Sequence, residues 1–194
     1  MSSRLTAISP IDGRYASSVG NLSAYFSETA LMTYRLKVEI EYLIALANEK
    51  GIKELAPFSS SQKSRLRKLY QNFTPACAKQ VKTIEATTNH DVKAIEYYIQ
   101  GKVKKSLHPW IHFGLTSEDI NNLSYSLMWQ DGLKKAYVPA LQSVNKLLKE
   151  FAKKYKNTSM LALTHGQPAT PTTFGKEVAV FYVRLDRQLS LIHI

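Results

Sequence analysis

Apolar residues recur at helical spacing along most of the chain. Leu36, Ile40, Leu43 and Ala47 fall four, three and four positions apart. That is one stripe of a helix predicted over Ser27–Lys50, with Gly51 placed to stop it. A shorter helix follows, with Ser59 to Ser61 offering N-caps and Leu66, Leu69 and Phe73 turned inward. Thr74-Pro75 reads as an N-cap followed by a first-turn proline, and Val81 and Ile84 continue on one face. Asp91 can cap the next helix, whose apolar face is Ile95, Tyr98 and Ile99. From Ser117 a long helix carries Ile120, Leu123 and Leu127. Beyond Pro139, which should kink or divide it, Leu141, Val144, Leu148 and Phe151 continue the stripe. If nearly continuous to Lys156, this segment spans about 60 Å at 1.5 Å per residue. A last helix begins after Thr173, with Phe174, Val178, Phe181 and Leu185 predicted to face inward. No strand pattern of comparable strength is present, and the expected class is all-α, with a helical domain over 1–111 and the start of a long-helix bundle over 112–194.

Between these helices lie polar stretches that can carry chemistry. Thr164 to Thr173 holds the titratable His165, a flexible Gly166, and Pro168 and Pro171, which push the residues before them out of helical geometry. It is predicted to be a stiff, polar turn presenting a histidine that titrates near neutral pH. Its plainer reading is an interhelical loop with a surface histidine. Asn89, His90 and Asp91 fall at a helix start, where free N–H groups favour an anion; Asn and Asp are also ordinary caps. Thr116 and Asp119 resemble a capping box, although Glu or Gln is the preferred partner. The alternative is that Thr116, Ser117 and the helix start hold a carboxylate. Near the N-terminus, Pro10 and Asp12-Gly13 form turn chemistry that delivers Arg14 and Tyr15 side by side. Arg14 can grip a phosphate or carboxylate through paired hydrogen bonds.

Composition narrows the classes. The 194 residues are 44% hydrophobic, which opposes wholesale disorder. A single cysteine, Cys77, excludes an internal disulfide and a cysteine-based zinc site, and fits a reducing cytoplasm. No apolar run is long enough to cross a bilayer, and the first twelve residues lack the layout of a secretory signal. No dinucleotide glycine motif and no clear metal-ligand spacing is present. The 26 Lys and Arg against 15 Asp and Glu give a net charge of +11, which attracts anions. Part of this excess lies in Lys102-Val103-Lys104-Lys105 and in Lys146 to Lys156, the latter on the polar side of a helical pattern. A basic helical nucleic-acid-binding module is the competing class, but no reading helix is evident.

The quoted motifs, in order, are Ser9-Pro-Ile-Asp-Gly-Arg-Tyr15, Thr87-Thr-Asn-His-Asp-Val-Lys-Ala94, Thr116-Ser-Glu-Asp-Ile-Asn-Asn-Leu123 and Thr164-His-Gly-Gln-Pro-Ala-Thr-Pro171. Together they resemble the fumarase/aspartase superfamily, and in detail its adenylosuccinate lyase branch from bacterial purine biosynthesis. Argininosuccinate lyase and fumarase share the layout but lack the first two motif forms. The resemblance implies β-elimination of fumarate from adenylosuccinate, giving AMP, and from the succinylated carboxamide ribotide SAICAR, giving AICAR. It requires no cofactor and no metal, and implies a cytoplasmic homotetramer whose sites form where three subunits meet, with no nucleic-acid or membrane partner. It assigns His165 as the acid that protonates the leaving nitrogen and His90 as a second catalytic, orienting group. Asn89, His90 and Asp91 would bind substrate, Thr116, Ser117 and Thr164 the succinyl part, and Arg14 and Tyr15 the nucleotide end. The superfamily's serine base lies on a loop expected beyond residue 194, so the chain reads as an inactive N-terminal fragment. Leu189 to Ile194 do not resemble the expected continuation.

Overall fold

The computed structural model describes residues 4–191, so Ile192 to Ile194, at the end of the unusual terminal stretch, lie outside the described residues. Among the described residues the regular structure is helical apart from one two-stranded sheet, and the chain divides into two compact units, residues 1–132 and 133–194.

In the first unit the helices are α1 (Ser23–Phe26), α2 (Glu28–Leu46), α3 (Ser60–Gln71), α4 (Pro75–Thr88), α5 (Asp91–Gln100) and α6 (Ser117–Gly132). The predicted stripe of α2 is the centre of the core: Leu36 and Ile40 are fully buried, as are Leu43 and Ala47, and they pack with Val81 of α4 and Ile95 and Ile99 of α5. The starts follow local chemistry. The Ser27 hydroxyl accepts the Ala30 N–H at 3.1 Å. Ser59 and Gln62 form a reciprocal capping box, and Thr74 caps α4 ahead of Pro75. α2 ends at Leu46, before Gly51, because the Asn48 side chain donates to the Ile44 carbonyl at 2.6 Å and the chain turns there. Lys105–Trp110 is a short 3₁₀ helix containing Pro109 rather than a plain loop.

Two expectations fail here. Asp91 is not the cap of α5: His90 is, its Nδ1 accepting the Lys93 N–H at 3.2 Å, while Asp91 is the first helical residue. An imidazole nitrogen reaches the same N3 donor that a carboxylate oxygen would. Leu123, expected to share one face with Ile120 and Leu127, is 55% exposed; the buried face of α6 runs instead through Ile120, Ser124 and Met128 at four-residue steps.

The second unit opens with a π-type turn, Leu133–Tyr137, followed by α7 (Val138–Lys154). Pro139 lacks an N–H and its ring crowds the carbonyl four residues back, at Lys135, inside that widened turn. The backbone is nonetheless helical at every residue from Ser117 to Lys154, so the widened turn is an irregularity within the run rather than a break in it. The stretch before α8 (Phe174–Leu191) is not a simple turn: β1 (Ser159–Thr164) pairs antiparallel with β2 (Gln167–Thr173), with an irregularity between Leu161 and Leu163. Each strand of a two-stranded sheet is an edge, so Pro168 and Pro171 can sit where no N–H is needed. Helices α7 and α8 pack through small and polar residues. Asn145, Ala152 and Gly175 are buried, whereas Val144 and Phe151 of the predicted stripe, and Phe174 and Phe181, predicted inward, are 42–63% exposed.

Candidate active site

Three of the four motif regions that supply candidate residues lie in the first unit. The link between α4 and α5 is formed by Asn89, which ends α4 in a left-handed conformation (φ 50°), and His90, which caps α5. Asn89 tolerates that geometry better than most residues because its short amide crowds the turn little. With Nδ1 occupied at the cap, the other ring nitrogen of His90 points away and lies 3.4 Å from the Ser117 hydroxyl. The Asn89–Asp91 and Thr116–Ser117 segments, 27 residues apart at the His90–Ser117 contact, thus converge on one exposed patch.

Asp91 is held by Arg35 of α2, whose Nη2 lies 2.6 Å from Oδ2, while the Arg35 Nε donates to Asn121 of α6 at 2.9 Å. Burial lifts the Asp91 carboxyl, but the Arg35 charge, the Val92 N–H and the Arg35 hydrogen bond outweigh it and leave it below the usual carboxylate range. Asp91 therefore stays an anion and acceptor near His90. Thr116 is engaged in its cap: its N–H and hydroxyl both donate to Asp119, at 2.7 and 2.8 Å, and its hydroxyl accepts the Asp119 N–H at 3.4 Å. Aspartate completes the reciprocal arrangement in place of glutamate, and those bonds from Thr116 hold its carboxyl low. Ser117, whose only side-chain partner among the described residues is His90, is the freer hydroxyl.

Arg14 and Tyr15 follow a tight turn in which Asp12 and Gly13 N–H groups both donate to the Ser9 carbonyl, at 3.1 and 3.0 Å. The Arg14 guanidinium stacks over the Tyr15 ring at 5.5 Å, and among the described residues neither is bonded to His90 or Ser117. In the second unit, His165 and Gly166 are the two residues of the hairpin turn between Thr164 and Gln167, both with positive φ (52° and 76°). Such turns demand left-handed geometry at both central positions. The histidine is thereby fixed at the exposed tip of the hairpin.

Sequence reasoning missed a buried polar group behind this patch. Glu39 of α2, fully buried, lies 2.6 Å from His112 Nδ1, and Glu96 of α5 receives Lys93 at 2.8 Å. Burial raises the Glu39 carboxyl, opposed by the hydrogen bond and charge of His112. The available signal was spacing: Arg35 and Glu39 are one helical turn apart and adjacent to the core residues Leu36 and Ile40.

A family model described as lyase matches residues 13–193. The chain belongs to the lyase family. It is 48% identical to the adenylosuccinate lyase of Dictyostelium discoideum over 197 aligned residues, covering 96% of this chain and 42% of that protein. With the adenylosuccinate lyases of Haemophilus influenzae and Escherichia coli K12 the identity is 44% and 43%, again over 96% of this chain and 42% of theirs. The chain thus spans about two fifths of the length of these curated relatives. Among solved structures, fumarate lyase from Mesorhizobium sp. BNC1 superposes with a TM-score of 0.71 at 21% identity, covering 90% of this chain and 39% of that one. The β-carboxy-cis,cis-muconate cycloisomerase of Acinetobacter calcoaceticus gives 0.69 at 20% identity, covering 90% of this chain and 40% of that one. These two likenesses establish the shared helical fold. Among the described residues no helix is long and apolar enough to cross a membrane.

Proposed function

We propose that this lyase chain is part of an adenylosuccinate lyase, eliminating fumarate from adenylosuccinate and from SAICAR in purine biosynthesis. The observation that carries the reading is the 42–48% identity to adenylosuccinate lyases across almost the whole chain. The geometry is compatible with it. The elimination removes a proton from carbon beside a carboxylate, breaks the carbon–nitrogen bond and needs a proton on the departing nitrogen. His165, on its rigid hairpin tip, is the proposed acid. The base is a serine supplied by chain beyond these residues. His90 and Ser117 form one hydrogen-bonding edge against the succinyl carboxylates, with Thr116 beside it, and Thr164 is a further candidate for the same group, donated by another subunit of the assembly. Asn89 and Asp91 orient the substrate, and Arg14 takes the phosphate with Tyr15 against the nucleotide. Fixed donors of this kind stabilise the dianionic intermediate better than mobile water. The excess of positive charge steers a substrate bearing one phosphate and two carboxylates. The working enzyme is a cytoplasmic homotetramer that uses no cofactor.

The test is fumarate release by the full-length protein, followed by absorbance, with adenylosuccinate and argininosuccinate offered separately. Release from adenylosuccinate alone is expected. Release from argininosuccinate alone would assign a different lyase, and release from neither would remove the proposal.

A further inference from the structure

Behind the His90–Ser117 contact, α2 presents a ladder of two buried charges, Arg35 and Glu39, only 5% and 1% exposed. The upper rung grips Asp91 and Asn121, as described above. The lower rung grips a loop: Glu39 Oε1 is hydrogen-bonded to His112 Nδ1 at 2.6 Å, and the opposite ring nitrogen lies 3.9 Å from Glu96 Oε1. One turn further along α2, the Tyr42 hydroxyl donates to the Phe113 carbonyl at 2.8 Å. The loop so held is strained. His112 has φ 61°, in the left-handed region, and Gly114 has φ 69°. A non-glycine residue keeps such geometry only where its surroundings over-determine it. Two and three residues beyond Gly114 come Thr116 and then Ser117, the first residue of α6.

Glu39 is an expensive way to fill a core position. It is fully buried, and its second oxygen, Oε2, has no hydrogen-bond partner among the described residues. Replacing the whole buried group, Glu39 together with its partner His112, by apolar side chains of similar volume is often neutral or better for stability. We infer that Glu39 is a positioning residue of the proposed lyase site: its carboxylate fixes the His112 ring and the strained loop, and so sets Ser117 against His90. This inference rests on the proposed role of His90 and Ser117 in holding substrate, but its test does not need turnover.

The test compares wild type with Glu39→Leu and Glu39→Gln by NMR of uniformly labelled protein, together with kinetics of the full-length enzyme. In wild type, one histidine Nδ1–H, that of His112, exchanges slowly with water. Glu39→Leu abolishes that signal and moves the resonances of Ser117 and the His90 ring; Glu39→Gln, which keeps an acceptor oxygen, preserves the protected proton. In kinetics, Glu39→Leu lowers kcat/KM about a hundredfold, the scale of a small misplacement in a site. His112→Ala does the same, and the double variant loses no more than either alone. The inference is overturned if Glu39→Leu changes only signals along α2 and leaves Ser117 and His90 unmoved, or if it lowers Tm with kcat/KM unchanged. Multiplicative losses in the double variant would equally overturn it. An enzyme inert toward adenylosuccinate would sink the functional reading, while the NMR result would still decide the Glu39 coupling.

Discussion

The ion pair that anchors the α5 start offers a quantitative test. In Arg35→Met the apolar stem is largely replaced, so the loss is polar rather than a cavity. Removing one partner of a fully buried pair costs about 3–5 kcal/mol. Here the Asp91 side chain is 47% exposed, so water reclaims much of its charge and that share falls to about 1–1.5 kcal/mol. Asn121 loses its hydrogen bond from Arg35, worth about 1 kcal/mol. The expected destabilisation near pH 7 is therefore about 2–2.5 kcal/mol. Its pH dependence has a definite sign. The folded Asp91 carboxyl lies below the usual range, so the pair's contribution is fully present above the unfolded carboxyl's value and is lost as pH falls through the lower folded value. The gap between wild type and variant should thus narrow below about pH 4, by roughly the Asp91 share, leaving the Asn121 share. Urea unfolding followed by helix circular dichroism at pH 7 and pH 3 measures both. A gap under about 1 kcal/mol at pH 7, or one of equal size at both pH values, refutes the assigned role of Arg35.

Two further substitutions test the units separately. In Gly175→Ala the new methyl would stand 2.4 Å from the Ala152 carbonyl oxygen and 2.5 Å from the Lys156 backbone, so α7 and α8 must part. A loss of about 3 kcal/mol, the upper end of overpacking, is expected in thermal unfolding, and an unchanged Tm would contradict the close helix approach. Ser59→Ala removes the reciprocal cap of α3 and should cost about 1 kcal/mol in urea unfolding, with Ser59→Asp restoring most of it; equal stability of all three proteins would show the cap to be idle.

The features readable from the chain were those set by neighbours in sequence. The α2 stripe, the Ser59 and Thr74 caps and the Thr116–Asp119 box all depend on residues within a turn or two of one another. The hairpin was concealed because proline argues against a central strand, whereas both its strands are edges. The stripes of α7 and α8 were correctly apolar, but Val144, Phe151 and Phe181 are nevertheless exposed. Periodicity identifies which face is apolar, and says nothing about whether this stretch of chain supplies a cover for it. Of the candidate site, His90, Ser117 and Asp91 were identifiable by motif. Arg35 and Glu39 were not, because a charged residue on a helix is normally solvated, and only tertiary packing buries these two.

Among the described residues, the left-handed non-glycine positions are Asn89, His112 and His165, and each lies in one of the polar loops between helices. Such a backbone costs roughly 1–2 kcal/mol for a residue with a Cβ. At the hairpin tip the cost is avoidable, since Asn-Gly is the preferred pair for a turn with two positive φ values. Histidine at 165 is thus a poorer turn former than asparagine in a place where the turn is the local structure. If the residue serves the fold, His165→Asn should weaken the hairpin. If it serves proton transfer, the same change should leave the β1–β2 amides as well protected from hydrogen exchange as before, or better, by up to about 1 kcal/mol. Fumarate release by the full-length enzyme should meanwhile fall by about 10²–10⁴, the usual contribution of a positioned acid. Asparagine retains the turn and some hydrogen bonding but has no proton to give near neutral pH, so the two readouts part in opposite directions only when the role is chemical. Reduced protection with turnover preserved would make His165 a structural residue and send the search for the acid elsewhere.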